Sequence, residues 1–296
     1  MNRLTQLFKT LYFIYTHPLN KKTKGGISRF ICYQLSIRLL KQGLVLPFVD
    51  DTKLLVYPGM TGATGNYYCG LHEFEDMAFL LHFLNETDIF CDIGANIGSY
   101  SILASGVCGA ETYCFEPCPK TFQSLCNNIN INHLNKKIYA FMIAIGNETG
   151  NIKFTINNDT ANHVVIQKEV SEPVIDVPIL RAENILGNKI PRLIKIDTEG
   201  FETEVIKGMH SILAHPDCKA LIVEVTGGER YGFNQDILHQ YILRYGFKES
   251  SYNVYERKIE QIVKSKSQNN LYVKDIAFTQ SRINNAKLIN INGYMI

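Results

Sequence analysis

Short apolar runs alternate with amphipathic stretches over much of this chain of 296 residues. The amphipathic stretches have a helical period at residues 120–132 and 235–245, and a further helix is predicted to begin at Ser99. The apolar runs predict strands buried on both faces of a sheet, at Ile89–Ile93, Thr112–Phe115, Ile138–Ile145, Leu193–Ile196 and Ala220–Val225. Strands that alternate with helices predict an α/β fold around a mostly parallel sheet.

The first 85 residues have a different pattern. It predicts two helices, at 28–42 and 73–84, and a two-stranded hairpin with strands at 44–49 and 53–57. Between the hairpin and the second helix, Gly59–Gly70 is rich in glycine and has no hydrophobic period, which predicts a loop. We expect this block, residues 1–85, to cover the mouth of a cofactor-binding domain at 86–275.

The later part of the chain contains an insertion and a tail. Residues 150–177 predict a β-rich insertion, with strands at 152–156 and 174–177 around a loop at 157–163. Two last strands are predicted at 249–255 and 270–273, joined through a polar, exposed connection at 257–269. The tail, residues 276–296, has no pattern that predicts its role.

The first core strand ends in an acid and a glycine-rich turn, Asp92-Ile-Gly-Ala-Asn-Ile-Gly98. Ligands of open α/β sheets bind at such strand-to-helix crossings, outside the carboxyl ends of the strands. A carboxylate there suits a positively charged cofactor, and S-adenosylmethionine carries an ammonium and a sulfonium. A dinucleotide site would instead have G-x-G-x-x-G, with backbone N–H groups facing the pyrophosphate. The turn therefore favours a methyl-donor site over a structural turn.

The second strand ends in Glu116-Pro117, and the proline stops the strand. Glu116 follows Asp92 at close to the ~20-residue spacing expected of an acid that holds a ribose hydroxyl pair. At the third strand end, Ile145 is one of the apolar side chains against which an adenine ring would lie. The fourth strand ends in another acid, Asp197, with Glu199, Gly200 and Glu202 in the turn that follows.

These four motifs, in this order, resemble those of the FkbM family of S-adenosylmethionine-dependent methyltransferases. The resemblance covers roughly residues 70–275 and is carried by Asp92–Gly98, Phe115-Glu-Pro117, Ala144-Ile-Gly146 and Ile196–Glu202. It implies a Rossmann-like class I methyltransferase fold, with a seven-stranded sheet that includes one antiparallel hairpin strand. It also implies O-methylation of a hydroxyl, often on a sugar, a polysaccharide unit or a polyketide.

By the same resemblance, Gly94 and Gly98 shape the methionine pocket, Glu116 holds the ribose, and Asp197 faces the reacting end of the cofactor. Asn96 and Pro117 belong to the same motif turns, and we count them with Asp92 and Ile145 as expected cofactor-binding residues. Two alternatives remain at this point: a nicotinamide-dependent oxidoreductase, and a non-catalytic binding module that keeps the fold.

Removal of the hydroxyl proton by a general base contributes about 10²–10⁴-fold to such a reaction. The candidates are Asp197 and Glu199 at the strand edge, then His72 after the glycine-rich segment, His163 in the insertion, and Glu224 at the fifth strand. Asp197 and Glu199 are also oxygen ligands that magnesium accepts. The sequence offers no fixed third ligand, so we expect no metal.

Composition adds few constraints. The eight cysteines include no C-x-x-C pair, which predicts buried thiols and not a zinc site, and no secretory signal is evident, which predicts a cytoplasmic protein. We expect a hydroxylated small molecule or glycan as acceptor. Tyr67 and Tyr68 are candidates to stack on a sugar ring. The sequence does not indicate an oligomeric state.

Charge is unevenly distributed, since no acid precedes Asp50. Eight basic residues lie in that segment: Arg3, Lys9, Lys21, Lys22, Lys24, Arg29, Arg38 and Lys41. The apolar stretch Leu4–Tyr15 is too short to cross a bilayer, which takes about 20 residues. The segment is a candidate for peripheral contact with an anionic membrane surface, although a solvated basic face is the simpler interpretation. No nucleic-acid reading module accompanies the basic residues, so we expect no nucleic-acid partner.

Overall fold

The computed structural model describes residues 3–40, 42–156, 162–165, 173–262 and 268–296. Its first part consists of helices around a small hairpin. The elements, numbered in chain order, are α1 (Arg3–Thr16), α2 (Pro18–Lys22), α3 (Gly26–Leu40), β1 (Leu44–Pro47), β2 (Lys53–Val56), α4 (Thr61–Cys69) and α5 (Phe74–Phe83). β1 and β2 pair antiparallel, as the alternation of their residues predicts.

Strands and helices of the sheet domain then follow. In chain order they are β3 (Ile89–Ile93), α6 (Ser99–Ile102), β4 (Glu111–Phe115), α7 (Pro119–Ile131), β5 (Ile138–Phe141), β6 (Ala144–Ile145), β7 (Gly150–Thr155), β8 (Val164–Val165), β9 (Val174–Leu180), α8 (Ala182–Leu186), β10 (Leu193–Ile196), α9 (Glu202–Lys207), α10 (His210–Ala214), β11 (Ala220–Glu224), α11 (Gln235–Leu243), β12 (Lys248–Asn253), β13 (Lys258–Gln261) and β14 (Asn269–Val273). The chain continues through α12 (Ile276–Asn284), β15 (Asn290–Ile291) and β16 (Tyr294–Met295).

The main sheet has the strand order β13-β12-β14-β11-β10-β3-β4-β5 within the described ranges. The five strands from β11 to β5 are parallel, and β14 is antiparallel to both of its neighbours. The predicted class, a Rossmann-like α/β fold with a mostly parallel sheet, is confirmed. The chain runs outward from β3 to β5 and then returns to β10 beside β3. This reversal of strand order is where a ligand crevice opens in such sheets.

Side chains that alternate along the central strands fill two apolar layers. On β3, Cys91 packs in the layer that contains Val205 of α9 and Leu238 of α11. Its neighbour Phe90 packs in the opposite layer with Phe79 of α5. Successive residues of a strand point to opposite faces, so a continuous apolar run covers both faces of the sheet.

Three predictions of secondary structure are wrong. The predicted strand 138–145 divides at Phe141, because Ala144–Ile145 pairs with β9 in a second sheet of order β6-β9-β7-β8. The predicted loop at Gly59–Gly70 contains the helix α4, which ends at Gly70 with a φ of 91°. The predicted connection 257–269 contains β13, a polar edge strand that makes the sheet eight-stranded instead of seven-stranded.

The insertion is β-rich, as predicted: β7 pairs with β9 along six residues and with β8 at its end. The predicted loop 157–163 lies mostly outside the described residues. The tail contains a helix, α12, whose N-terminus is capped where the Asp275 carboxylate accepts from the Phe278 amide. In the described part of the chain, no helix combines the length and the apolar character that crossing a membrane requires.

Candidate active site

A cavity of about 290 Å³ lies at the carboxyl ends of β3, β4, β10 and β11. α4 contributes residues to one wall, and the coverage of the mouth by residues 1–85 stays a prediction. Most of the predicted site residues line this cavity: His72, Asp92, Gly94, Asn96, Glu116, Pro117, Ile145, Asp197, Glu199 and Glu224. Gly98 does not line it. With a φ of 88°, Gly98 is instead the left-handed residue from which α6 begins.

Asp92 is buried at the end of β3, where its Oδ2 accepts a hydrogen bond of 2.6 Å from the Ser101 hydroxyl. Burial raises the pKa of Asp92 to about 6, although Lys195 nearby acts to lower it. The turn that follows touches the neighbouring strand end. At Gly94, with a φ of 80°, a Cβ would lie 1.7 Å from the carbonyl oxygen of Asp197. Only glycine allows the turns after β3 and β10 to approach this closely.

Glu116 is buried at the end of β4 and is held by two backbone amides. Its Oε2 accepts from the Asn96 N–H at 3.0 Å, and its Oε1 accepts from the Cys118 N–H at 2.8 Å. Asn96 has a φ of 51°, which turns its amide toward the carboxylate from within the β3 turn. Burial raises the pKa of Glu116 to about 7, and the two amides oppose that rise.

Lys195 is a buried cation among these acids, and the sequence analysis missed it. Its Nζ lies 2.5 Å from Asp197 Oδ2 and 4.7 Å from the centre of the Tyr100 ring. Burial lowers the pKa of Lys195, but the facing carboxylates of Asp197, Glu73 and Asp92 outweigh burial and raise it above its ordinary value. The available signal was a single lysine inside the apolar run Leu-Ile-Lys-Ile, two residues before the acid that ends it.

Asp197, Glu199 and Glu224 form a carboxylate cluster, with one oxygen of each within 4.8 Å of the others. Glu224 joins because β11 lies beside β10. Burial, followed by the charge of Asp197, raises the pKa of Glu199 to about 7 and that of Glu224 to about 8. Glu224 supplies the third oxygen that the sequence analysis did not find, so the cluster has a donor set of the kind that binds a divalent cation.

The turn after β10 is held by Glu202. Its Oε1 accepts from the Thr198 amide, the Thr198 hydroxyl and the Gly200 amide. Gly200 has a φ of 105°, and a Cβ there would lie 2.3 Å from the Gly227 carbonyl oxygen. These contacts give Glu202 a structural role: it fixes the loop that carries Asp197 and Glu199.

His72 enters the cavity beside α4. Its amide donates to Asn66 Oδ1 at 2.8 Å, and Asn66 donates in turn to the Ser99 hydroxyl at 3.0 Å. Burial lowers the pKa of the His72 imidazole, so it is neutral at pH 7. The ring occupies the space that a Cβ of Gly65 would take, only 2.1 Å from His72 Nδ1. This close packing explains a glycine inside α4.

Three other candidates lie elsewhere. His163 does not line the cavity, although its neighbours Asn162 and Val164 do. Tyr68 is buried against Phe30 and Tyr33 of α3, and neither Tyr67 nor Tyr68 lines the cavity. The stacking of these two tyrosines on a sugar stays a prediction, and the contacts of Tyr68 with α3 place its ring away from this cavity.

Comparison with known proteins adds to this geometry. The sequence model of the methyltransferase FkbM domain matches residues 92–249, more than half of the chain. The chain belongs to the FkbM methyltransferase family. The match begins at Asp92 and includes Glu116, Asp197 and Glu224, so it spans the four strand ends that form the cavity.

One curated relative is the hexuronic acid methyltransferase AglP of Haloferax volcanii, which is 27% identical over 159 residues. The match covers 53% of this chain and 63% of the relative. Among solved structures, a FkbM methyltransferase from Methylobacillus flagellatus has a TM-score of 0.46 at 17% identity, covering 72% of this chain and 54% of that one. TYW2 of M. jannaschii, solved with AdoMet, has a TM-score of 0.38 at 15% identity, with 78% and 84% covered.

Proposed function

We propose that this chain is an S-adenosylmethionine-dependent O-methyltransferase that methylates a hydroxyl of a sugar. The observation that carries the proposal is the position of Glu116, buried at a strand end with each oxygen fixed by one backbone amide. A carboxylate oxygen has a second lone pair, so both oxygens of Glu116 can still accept from a pair of ribose hydroxyls.

The rest of the cavity fits the same cofactor. Asp92 and the turn through Gly94 offer a negative, closely packed wall to an ammonium group. Ile143, Ala144 and Ile145 offer an apolar wall to an adenine ring. The carboxylate cluster faces the space between these walls and would lie beside a sulfonium. Opposite charges at this distance attract strongly when water is largely excluded.

Held by Asp92, Glu116 and the apolar wall, the cofactor would supply a methyl carbon activated by positive sulfur; an acceptor oxygen would bond to that carbon, and the sulfur would keep the electron pair of the broken carbon–sulfur bond. The acceptor proton must go to a base on the protein. Glu199 suits this role because it lines the cavity, has a pKa of about 7, and has no hydrogen-bond partner for its carboxylate among the described residues. A base whose pKa is close to the working pH is the most effective.

The other two acids of the cluster are already engaged. The Asp197 carboxylate is paired with Lys195, and Glu224 Oε1 accepts from the Thr226 hydroxyl at 2.7 Å. We assign Asp197 to positioning, since its charge is neutralised by the lysine. Carboxylates are also good acceptors for sugar hydroxyls. The relative named as a hexuronic acid methyltransferase supports a sugar as the acceptor.

The charge of the cluster favours a neutral sugar over a uronic acid. A uronate carboxylate placed beside Glu199 and Glu224 would add a negative charge where burial and neighbouring acids already raise the pKa of both groups, and such a contact is unfavourable. We therefore infer methylation of a hydroxyl and not of a carboxylate. The product would be a methyl ether, which resists mild base, whereas a methyl ester is hydrolysed by it.

This difference gives the test. The full chain is incubated with S-adenosylmethionine labelled in the methyl group and with methyl glycosides of neutral hexoses or of hexuronic acids. We expect label in a neutral sugar, and we expect it to survive mild base. Base-labile label on the uronate would contradict hydroxyl methylation. Cofactor binding without transfer to any acceptor would instead support the non-catalytic alternative.

A further inference from the structure

The outward faces of α1 and α3 are apolar and exposed. Ten of the 17 large apolar side chains that are exposed in the described part of the chain lie between residues 7 and 45. On α3, Ile27, Ile31, Leu35 and Leu39 recur every four residues and form one stripe, in which Leu39 is 80% exposed. On α1, Phe8, Tyr12 and Tyr15 form a second stripe, in which Tyr15 is 76% exposed.

These stripes are not the faces by which the two helices pack on the protein. The inward face of α1 buries Ile14, and that of α3 buries Tyr33. Phe13 and Phe30 pack against the same core, where Phe30 meets Tyr68 of α4. Both helices are therefore apolar on two sides, although a surface helix normally has a polar outer face. The outward stripes are unpartnered among the described residues.

The charge around the stripes is positive. The first 49 residues contain eight basic residues and no acid. Lys9 lies on α1 between Phe8 and Tyr12 in the sequence, and Arg38 lies on α3 next to Leu39. Lys24 lies two residues before the start of α3, and all three of these side chains are exposed. Leucine and aromatic residues with lysine and arginine beside them are typical of helices that lie in the interface of an anionic bilayer.

We propose that the outward faces of α1 and α3 bind the surface of a bilayer that contains anionic phospholipid. A second copy of this chain is a poorer occupant. A symmetric contact would bring the same basic residues of both copies together with no acid from these helices to pair with them. An anionic surface complements the charge, and its acyl region accepts the leucine and aromatic side chains. α3 packs on α4, which is a wall of the cavity, so bilayer binding would bring the cavity close to the membrane surface.

The test measures sedimentation of the full chain with vesicles of phosphatidylcholine alone or with about 30% phosphatidylserine, which gives an anionic surface. We expect binding to the anionic vesicles, weakened by salt, and little binding to the neutral ones. Reversing the charge of Lys9, Lys24 and Arg38 to Glu should weaken binding by about fivefold or more per residue. The matched control reverses Lys136, Lys248 and Lys287 to Glu, which changes the net charge equally and should weaken binding much less.

A second pair of variants tests the apolar stripe. Leu35→Ser with Leu39→Ser should weaken vesicle binding at least tenfold, while Ile237→Ser with Leu288→Ser, also at exposed positions, should not. Thermal melts confirm that every variant is folded. Three results would overturn the proposal: equal binding to neutral and anionic vesicles, equal loss in test and control variants, or a dimer in sedimentation velocity that Leu35→Ser with Leu39→Ser dissociates.

Discussion

The acids at the two ends of the parallel strands differ in how many cations lie beside them. At the amino end, buried Asp88 accepts from Arg192 at 3.2 Å and from Arg282 at 2.6 Å, and Glu111 is paired with Lys189. At the carboxyl end, Asp92, Glu116 and the carboxylate cluster line a cavity that contains one buried lysine, Lys195, in the part of the chain that the structure describes. Lys189 lowers the pKa of Glu111, whereas burial raises the pKa of Asp92, Glu116, Glu199 and Glu224.

We interpret the difference as one between acids that stabilise the fold and acids that we propose to hold a ligand. A buried acid with two arginines has its charge compensated within the protein. Where buried acids outnumber the cations beside them, their ionisation is unfavourable. A positively charged ligand with hydroxyl donors can stabilise their ionised form. Such perturbed pKa values in a cleft indicate a functional site. The proposed cofactor has both the charge and the hydroxyls.

The largest effect is expected at the proposed base. Glu199→Gln should lower kcat for methyl transfer by about 10²–10⁴-fold, since a glutamine cannot accept the proton. In the wild type the base acts when deprotonated, so kcat should rise with pH through about 7 and then level off, in accordance with the pKa of Glu199. Steady-state rates of both proteins between pH 6 and 9 measure the loss of kcat and the pH profile. Glu204→Gln, on the neighbouring helix, is the control. A pH profile that is unchanged in Glu199→Gln would assign the base elsewhere.

The next effect is on stability. Lys195→Met leaves the buried acids at the carboxyl end without their cation and should cost about 3–5 kcal/mol of the free energy of unfolding. Lys189→Met breaks the exposed pair at the amino end and should cost at most about 1 kcal/mol. Urea unfolding measures both. Because Asp92, whose pKa burial raises to about 6, needs no cation once it is protonated, the cost of Lys195→Met should shrink at pH 5. An equal cost for the two variants would contradict the contrast between the ends.

Two left-handed glycines provide a third comparison. Gly94 lies at the carboxyl end of β3, and Gly187 lies before the amino end of β10 with a φ of 56° and nothing near its missing Cβ. Gly187→Ala should cost only backbone strain, about 1–3 kcal/mol, since φ is 56° and ψ is −119°. Gly94→Ala adds a clash with the Asp197 carbonyl, so it should cost more and should also weaken cofactor binding. Thermal melts compare the melting temperatures of the two variants. An equal loss of stability would show that the turns after β3 and β10 can separate without cost.

The smallest effect is expected at Glu224. A half-buried acid with a raised pKa binds its proton more tightly in the folded state, so its contribution to stability is present at low pH and is lost as the pH rises from about 4 to about 8. Glu224→Gln cannot ionise, and its melting temperature at pH 8.5 should exceed that of the wild type by about 2–4 °C, the shift expected for about 1 kcal/mol. At pH 5 the two should agree. A lower melting temperature at pH 8.5 would contradict the account.

The sequence predicted the strand ends better than the surroundings of the site. Asp92, Glu116 and Asp197 could be placed because each ends an apolar run, and parallel strands bring their carboxyl ends to one edge. Glu224 was ranked last as a base because its distance from Asp197 depends on strand order, which apolar runs do not encode. Lys195 was missed because a lysine within a strand is normally assumed to face solvent.

The errors outside the site have the same origin in tertiary contacts. α4 contains Gly62 and Gly65, which oppose helix formation by about 1 kcal/mol each, yet the helix forms because Gly65 gives space to the His72 ring. The polar residues Lys258 and Glu260 predict a connection where the structure has β13, because charged residues are usual on an edge strand as well as in a loop. Neither the space that Gly65 leaves for His72 nor the edge position of β13 produces a periodic signal in the sequence.

The most direct test of the central claim is calorimetric titration with S-adenosylhomocysteine, which keeps the ammonium and the ribose hydroxyls. It compares the wild type with Glu116→Gln and Glu111→Gln, two variants at opposite ends of β4. We predict saturable binding by the wild type, about 10–100-fold weaker binding by Glu116→Gln, and unchanged binding by Glu111→Gln, with all three folded by their melts. No binding by the wild type, or equal weakening in both variants, would contradict a cofactor site at the carboxyl end of the sheet.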